Sequence, residues 1–506
     1  MSIPTSLRVP IFAIEVDSSR AYQVAAVLAY KALMCGQKLA AGIAPADKIV
    51  LVNNYAHARQ LFGDGSVLER MADAWFQSNK LTPLYAIALG EGSATVATGT
   101  FAITGTPTAS GEIAVYIGGR RYALAVTTTS TPTTLGDALV AALTADSRAL
   151  VTGVNTTGSV ALTSKNKGTI ANEIDVRVSY NEGERIPAGL TVTPPATGLL
   201  TGATSDTTLA TAITEMGQEW FQIIVGPYTD TTNLTAIEAE LAERFAYDRM
   251  LDGRYITAKA AAKADLMTFG NGRNSPHVSC MGTYKSPSTP WEWAASYAAQ
   301  QAKELAIDPA RPLQTLELVG ILPPARADQW DPISDNNALL FDGISTYTVD
   351  QSGRCRIQRA ITMYQRNDAG AEDVAYLDVC TTANLLYLRY SLRTWFQVRY
   401  PRAKLCDDDT RIAAGQQVIT PKTGKAECVA WAREMEELGL VENVDDFIAN
   451  LTVSRNQVDP NRLDFNLPPP LICSSFCRPP KLQKCGALRR PNIKGGFDKW
   501  EPPQTV

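Results

Sequence analysis

The chain has 506 residues, 45% hydrophobic and 19% charged, with a formal net charge of −4. That length suggests about three domains with ample chain for folded cores, and the charge excludes a global drive toward nucleic acid or anionic lipid. Two histidines in the whole chain weaken the case for an enzyme, because histidine is the usual general base and the commonest metal ligand.

Residues 9–16 form a short apolar run with Phe12, Ile14 and Val16 on one face, as in an extended strand. The run contains Pro10 and ends in acidic residues, so it does not read as a secretory signal. No stretch approaches the length of a membrane span, and synthesis in a cytosol is expected. Helix and strand signals mix over 17–62. A helix is predicted over 67–79 and a buried strand over 83–89.

From 91 to 206 threonine, serine, glycine and alanine dominate. Threonine and valine favour extended chain, and strands are predicted at 95–104, 112–117, 122–126, 159–163, 174–180 and 190–192. Leu135, Ala138, Leu139, Ala142 and Leu143 follow a helical period. Both ends of the region are rich in Gly, Ser and Thr, and an α/β pattern lies on either side. This is the pattern of an inserted, mainly β domain.

Alternation resumes at Trp220. Strands are expected at FQIIVG, RYITA, HVSCMG and LELVG, with helices at 234–247, 259–269 and 288–307. The last has a clear start: Thr289 as N-cap, Pro290 at the first position and Glu292 three residues after the cap. Such alternation implies a parallel sheet covered on both faces. Beyond it, Leu385, Leu388, Leu392, Trp395 and Phe396 form the stripe of a long helix, with Arg389, Arg393 and Arg399 off it. A further helix starts at Thr420-Pro421, stops before Gly439, and carries Cys428, Trp431, Ala432, Met435 and Leu438 as its apolar face.

The motifs of common chemistries are missing: no GxxxxGK[ST], no GxGxxG opening a helix, no HExxH, no CxxC pair and no GxSxG. His277, beside Ser275 and Ser279, has two readings, a general base or a strand-end histidine at an edge or interface; the second is the simpler. The arginines between 390 and 404 read as a solvated face or an inter-subunit ion-pair surface rather than a nucleic-acid patch, since Asp407, Asp408 and Asp409 lie close by. Cys473, Cys477 and Cys485 make a poor zinc site, being three thiols without a nearby histidine. The other six cysteines are single and read as buried thiols. No catalytic, cofactor-binding or metal residue is assigned, and no cofactor is expected.

Several stretches together resemble the tail sheath proteins of Mu-like contractile-tailed phages, over about residues 8–472. They are RVPIFAIEVDSSRA, KNKGTIANEIDVRVSYNEGERIPAGLTVT, NSPHVSCMG, SPSTPWEWAASYAA, RIQRAITMYQRNDAGAEDVAYLDV, SLRTWFQVRYPRAKL and DPNRLDFNLPPPL. The resemblance implies an α/β, multi-domain architecture: a subtilisin-like, non-catalytic α/β core, an inserted mainly-β domain and an α+β C-terminal domain with extended terminal arms. On this reading 1–20 is an arm, 21–90 the N-terminal part of the core and 91–206 the surface-exposed insert. Residues 207–354 are then the subtilisin-like sheath domain, 355–472 the tube-facing domain and 473–506 an aberrant or disordered tail. It also implies a structural, non-enzymatic virion subunit, assembled in the bacterial host cytoplasm. That subunit would polymerise helically around a tail tube through strand exchange by its arms, and contract to drive the tube through the host envelope. Its partners would be copies of itself, the tail tube, baseplate and tail terminator proteins, without nucleic acid or membrane. A receptor-binding adhesin led by the insert and an α/β hydrolase remain the competing readings.

The resemblance stops at Ile472. The last 34 residues hold five prolines, three cysteines and seven Lys/Arg against Asp498 and Glu501. Proline removes ladder donors, so this segment suits a donated strand poorly. A changed reading frame is one explanation and a divergent tail another.

Overall fold

The computed structural model describes residues 28–413, 415–467 and 471. The expected arm at 1–20, its strand at 9–16 and the expected tail at 473–506 lie outside them.

The first half of the large sheet is built from β1 (Ala32–Gly36), β2 (Ile49–Val52), α1 (Tyr55–Phe62), α2 (Val67–Ser78) and β3 (Leu84–Ala88). Every residue of β1 is buried, as expected of a parallel strand covered on both faces. The chain then leaves this sheet for more than a hundred residues. It forms β4 (Val96–Gly105), β5 (Gly111–Ile117), β6 (Arg120–Val126), α3 (Pro132–Ala145), β7 (Val151–Thr156), β8 (Ser159–Lys167), β9 (Val176–Val178) and β10 (Leu190–Thr193). These make an antiparallel four-stranded sheet, β10-β4-β8-β7, and an antiparallel three-stranded one, β6-β5-β9. Leu135, Leu139 and Leu143 of α3 are buried among them. β7 escaped the sequence reading, because only Val151 of its six residues is buried.

This excursion is fastened to α2. Arg148 Nε donates to Glu69 Oε1 at 2.9 Å, and the same guanidinium also pairs with Asp73. Arg70 Nη2 reaches the Gly118 carbonyl at 3.0 Å and Glu292 Oε1 at 2.5 Å. Asn166 Oδ1 accepts from the Val67 N–H at 3.1 Å.

The large sheet resumes through α4 (Ala210–Met216), β11 (Ile223–Val225), α5 (Thr231–Phe245), β12 (Arg254–Ala260), α6 (Lys263–Asn271), β13 (Val278–Thr283), α7 (Pro290–Ile307), α8 (Ser334–Phe341), β14 (Ile344–Val349) and β15 (Cys355–Arg359). Its order is β2-β3-β1-β11-β12-β13-β14-β15. The pairs from β3 through β14 are parallel, and the two edge strands, β2 and β15, are antiparallel.

The start of α7 is as expected. Pro290 is the first helical residue, and Glu292 Oε2 accepts from the Thr289 N–H at 3.1 Å and from its hydroxyl at 2.8 Å. Two expectations need correcting. Lys259 and Ala260 belong to β12 and not to the following helix, because their register partners Gly282 and Thr283 extend the parallel ladder. LELVG is no strand of the parallel sheet: Glu317 makes a single antiparallel bridge to Arg356, and left-handed turns at Thr315 (φ 68°) and Gly320 (φ 80°) stop it from extending.

The last part contains α9 (Val379–Arg399), β16 (Lys404–Leu405), β17 (Val418–Ile419), α10 (Pro421–Glu437), α11 (Val444–Asn450), β18 (Thr452–Arg455) and β19 (Leu463–Asn466). It has its own core, in which Leu388 of α9 meets Cys428, Trp431, Ala432 and Met435 of α10 and Phe447 of α11. Trp431 Nε1 donates to Ser391 Oγ at 3.0 Å. Leu438 is 47% exposed, against expectation: α10 ends at Glu437, and the turn at Gly439 (φ 72°) sends Leu440 into the core instead.

Candidate functional site

The most elaborate polar arrangement lies where α9 meets the amino ends of β11, β12 and β13. Ligands of open α/β sheets sit at the opposite, carboxyl ends of the strands, so this is a joint between parts of the chain. Asp252 and Gly253 lead into β12. A Cβ at Gly253 would stand 2.5 Å from the Phe221 carbonyl oxygen, so only glycine lets the chain pass that backbone.

Arg389 of α9 faces this point. Its Nη1 donates to both carboxylate oxygens of Asp252 at 2.8 Å, and its Nη2 donates to the Phe245 carbonyl at 2.8 Å. The guanidinium lies 4.3 Å from the centre of the Phe245 ring, a cation–π contact. Phe245 in turn packs on His277 at 5.3 Å. Trp220 Nε1 donates to the Asp252 carbonyl at 2.7 Å, and its ring meets Tyr390 at 5.7 Å. Beside this set, Arg254 Nη2 donates to Thr382 Oγ1 at 2.9 Å.

Burial dominates the electrostatics. It pushes the Asp252 carboxyl up to about 6, although Arg389 pulls the other way. It holds His277 down to about 4, with the charges of Arg254 and Arg389 adding to the effect. At neutral pH the joint therefore contains a neutral imidazole, one carboxylate and two guanidinium groups.

The residues singled out in the sequence do not converge on a reaction centre. Ser275 Oγ accepts from the His277 backbone N–H at 3.3 Å. Ser279 Oγ donates to the Ile361 carbonyl at 2.6 Å and shares a hydrogen bond with the Tyr297 hydroxyl at 2.9 Å. Among the described residues neither hydroxyl bonds the His277 imidazole, and His277 serves as a packing surface for Phe245. The arginines of α9 have different surroundings. Arg389 is in the joint, Arg399 lies 3.2 Å from the centre of the Trp395 ring, and Arg393 is exposed. Cys35, Cys280, Cys355, Cys380 and Cys428 are buried free thiols, each pushed up to about 12 by burial. Cys473, Cys477 and Cys485 lie outside the described residues. Among the described residues no group of His, Cys, Asp or Glu is placed to hold a metal ion, and no helix is long and apolar enough to cross a membrane. Sequence reasoning missed Asp252 and Trp220, which carry no local signal; their partners are contributed by a helix far along the chain.

Comparison with known proteins finds similarity along most of the chain. Residues 201–363 match the family model for the phage tail sheath protein central domain, and residues 371–474 that for the phage tail sheath C-terminal domain. The Mu-like prophage FluMu tail sheath protein of Haemophilus influenzae is 39% identical over 464 residues, which is 92% of this chain and 94% of that protein. Among solved structures, a sheath tail protein from Desulfitobacterium hafniense is 12% identical with a TM-score of 0.46, covering 92% of this chain and 100% of that one. One from Listeria innocua is 13% identical with a TM-score of 0.46, covering 90% and 98%.

Proposed function

The chain belongs to the phage tail sheath family, and from that premise we propose that it polymerises helically around a tail tube and contracts to drive the tube through a host envelope. It is a structural subunit of a contractile phage tail, a virion protein and not an enzyme. The observation that carries this is the 39% identity to a Mu-like prophage sheath protein over 92% of the chain.

The finer reading follows from the same premise. The core, completed by 207–354, is a subtilisin-like fold without a catalytic set. Its support is a sheet whose inner strands run parallel and whose order places the second and third strands of the chain outside the first. The insert at 91–206 points outward, and 355–472 faces the tube. The terminal arm at 1–20 exchanges strands with neighbouring copies, whereas the proline-rich segment after 472 suits that role poorly. The two-stranded β18-β19 sheet supports strand exchange: so short a sheet is marginal alone, and its outer edges, unpaired in the sheet among the described residues, are available to further strands. Val441 makes a separate antiparallel bridge to Leu471. Tail tube, baseplate and tail terminator proteins are the remaining partners, and assembly takes place in the host cytoplasm.

The joint fits that work. A sheath that switches by rigid-body movement of its subunits needs subunits whose parts stay together. The Asp252–Arg389 pair, the Phe245 stack and the Trp220 hydrogen bond tie α9 to the large sheet. High-speed sedimentation of the full chain with its phage's tail tube protein tests the proposal. Co-pelling of both proteins as long polymers is expected; a chain that stays in the supernatant while the tube pellets contradicts it.

A further inference from the structure

Arg70, Arg244 and Arg254 are buried arginines. Arg70 is paired with Glu292 and Arg244 with Glu240. Arg254 is different: among the described residues its guanidinium bonds only neutral groups, Gln301 Oε1 at 3.4 Å and Thr382 Oγ1 at 2.9 Å. A buried charge is stable when it is paired, and this one faces a cavity.

The cavity has a volume of about 140 Å³. Phe245, Pro276 and Leu386 give it apolar walls, and Arg254, His277 and Thr382 give it polar ones. Half-buried Thr382 and Leu385 lie at its border, so it reaches solvent. Asp252 also borders it, but both of its carboxylate oxygens are taken by Arg389. The surroundings therefore hold two guanidinium charges against one carboxylate; burial is the main cause of the depressed basicity of His277, and this positive field adds to it. A cavity of about 150 Å³ accommodates a benzene-sized body.

We propose that this cavity binds a small organic carboxylate, whose anionic group balances Arg254 and whose compact apolar body fills the space between Phe245 and Leu386. An inorganic anion would leave the apolar walls unfilled, and a neutral aromatic would leave the guanidinium unbalanced. A charge-assisted contact of this kind favours the anion over a neutral body of the same size by roughly tenfold or more.

The test is calorimetric titration of the full chain with sodium benzoate and with benzyl alcohol at matched ionic strength. Saturable binding of benzoate, roughly tenfold or more tighter than benzyl alcohol, is expected. Leu385→Phe, which adds bulk at the border, should abolish it, and Arg254→Met should erase the preference for the anion. Equal binding of the two solutes, no saturable binding of benzoate, or binding unchanged in Leu385→Phe would overturn the proposal. The comparison of solutes on the unaltered chain decides the matter even if Arg254→Met does not fold.

Discussion

Arg389 places its Nη1 2.8 Å from each carboxylate oxygen of Asp252, 137 residues earlier in the chain. The pair closes the joint between the large sheet and the C-terminal helices. Burial raises the Asp252 carboxyl despite its partner, so desolvation outweighs attraction. The pair accordingly specifies how the parts fit rather than adding much net stability.

Arg389→Met should be strongly destabilising, by about 3–5 kcal/mol, because it strands a buried carboxylate. The double variant Asp252→Leu with Arg389→Met should recover most of that loss. Urea denaturation of both variants makes the comparison. A double variant as unstable as the single one would mean that lost packing, not the orphaned charge, is responsible.

The joint should be almost indifferent to pH between about 4 and 6, through cancellation. Asp252 rises from 3.8 to about 6 on folding. Its contribution is full below the unfolded value and is lost as pH climbs to about 6. His277 falls from 6.5 to about 4, so its contribution grows as pH climbs through the same range. His277→Phe should therefore expose a stability that declines with rising pH relative to the unaltered chain. Asp252→Asn should expose the reverse slope. Urea midpoints across this range, taken as differences from the unaltered chain, test both signs.

Glu173, in the insert, makes stability depend on pH without such cancellation. Burial pushes its carboxyl up to about 8, with Lys259 opposing, and its Oε2 is buried without a hydrogen-bond partner among the described residues. A raised carboxyl contributes stability at low pH that disappears as pH rises through about 8. Glu173→Gln should lose less thermal stability than the unaltered chain between pH 6 and pH 9. An identical loss in both would remove Glu173 from consideration.

At the start of α7, Thr289→Ala should cost about 1 kcal/mol, the ordinary value of a helix cap. Glu292→Gln should cost more, about 3 kcal/mol, since it deprives the buried Arg70 of its charge partner. Thermal melts of the two variants rank them, and the opposite order would mean that the cap dominates the ion pair.

Much of this was legible in the sequence because the signals are local. The cap at Thr289, Pro290 and Glu292 lies within four residues. The buried stripe of Cys428, Trp431, Ala432 and Met435 lies within one helix. Where tertiary context decides, local reading failed. The helix-forming run at Lys259 yields two residues to β12 because β13 offers a ladder. Leu438 points outward because Gly439 turns the chain. Arg389 reads from its helix as a surface charge, and only the fold reveals a carboxylate from a distant loop beside it. β7 was missed because a strand with one buried residue lacks the alternation that sequence reasoning detects.

The central claim, a sheath subunit that assembles around a tube, is most directly tested by electron microscopy of the full chain produced together with its phage's tail tube protein. Tubes coated by a helical outer layer of this chain are expected. Bare tubes beside dispersed single copies of the chain would contradict it.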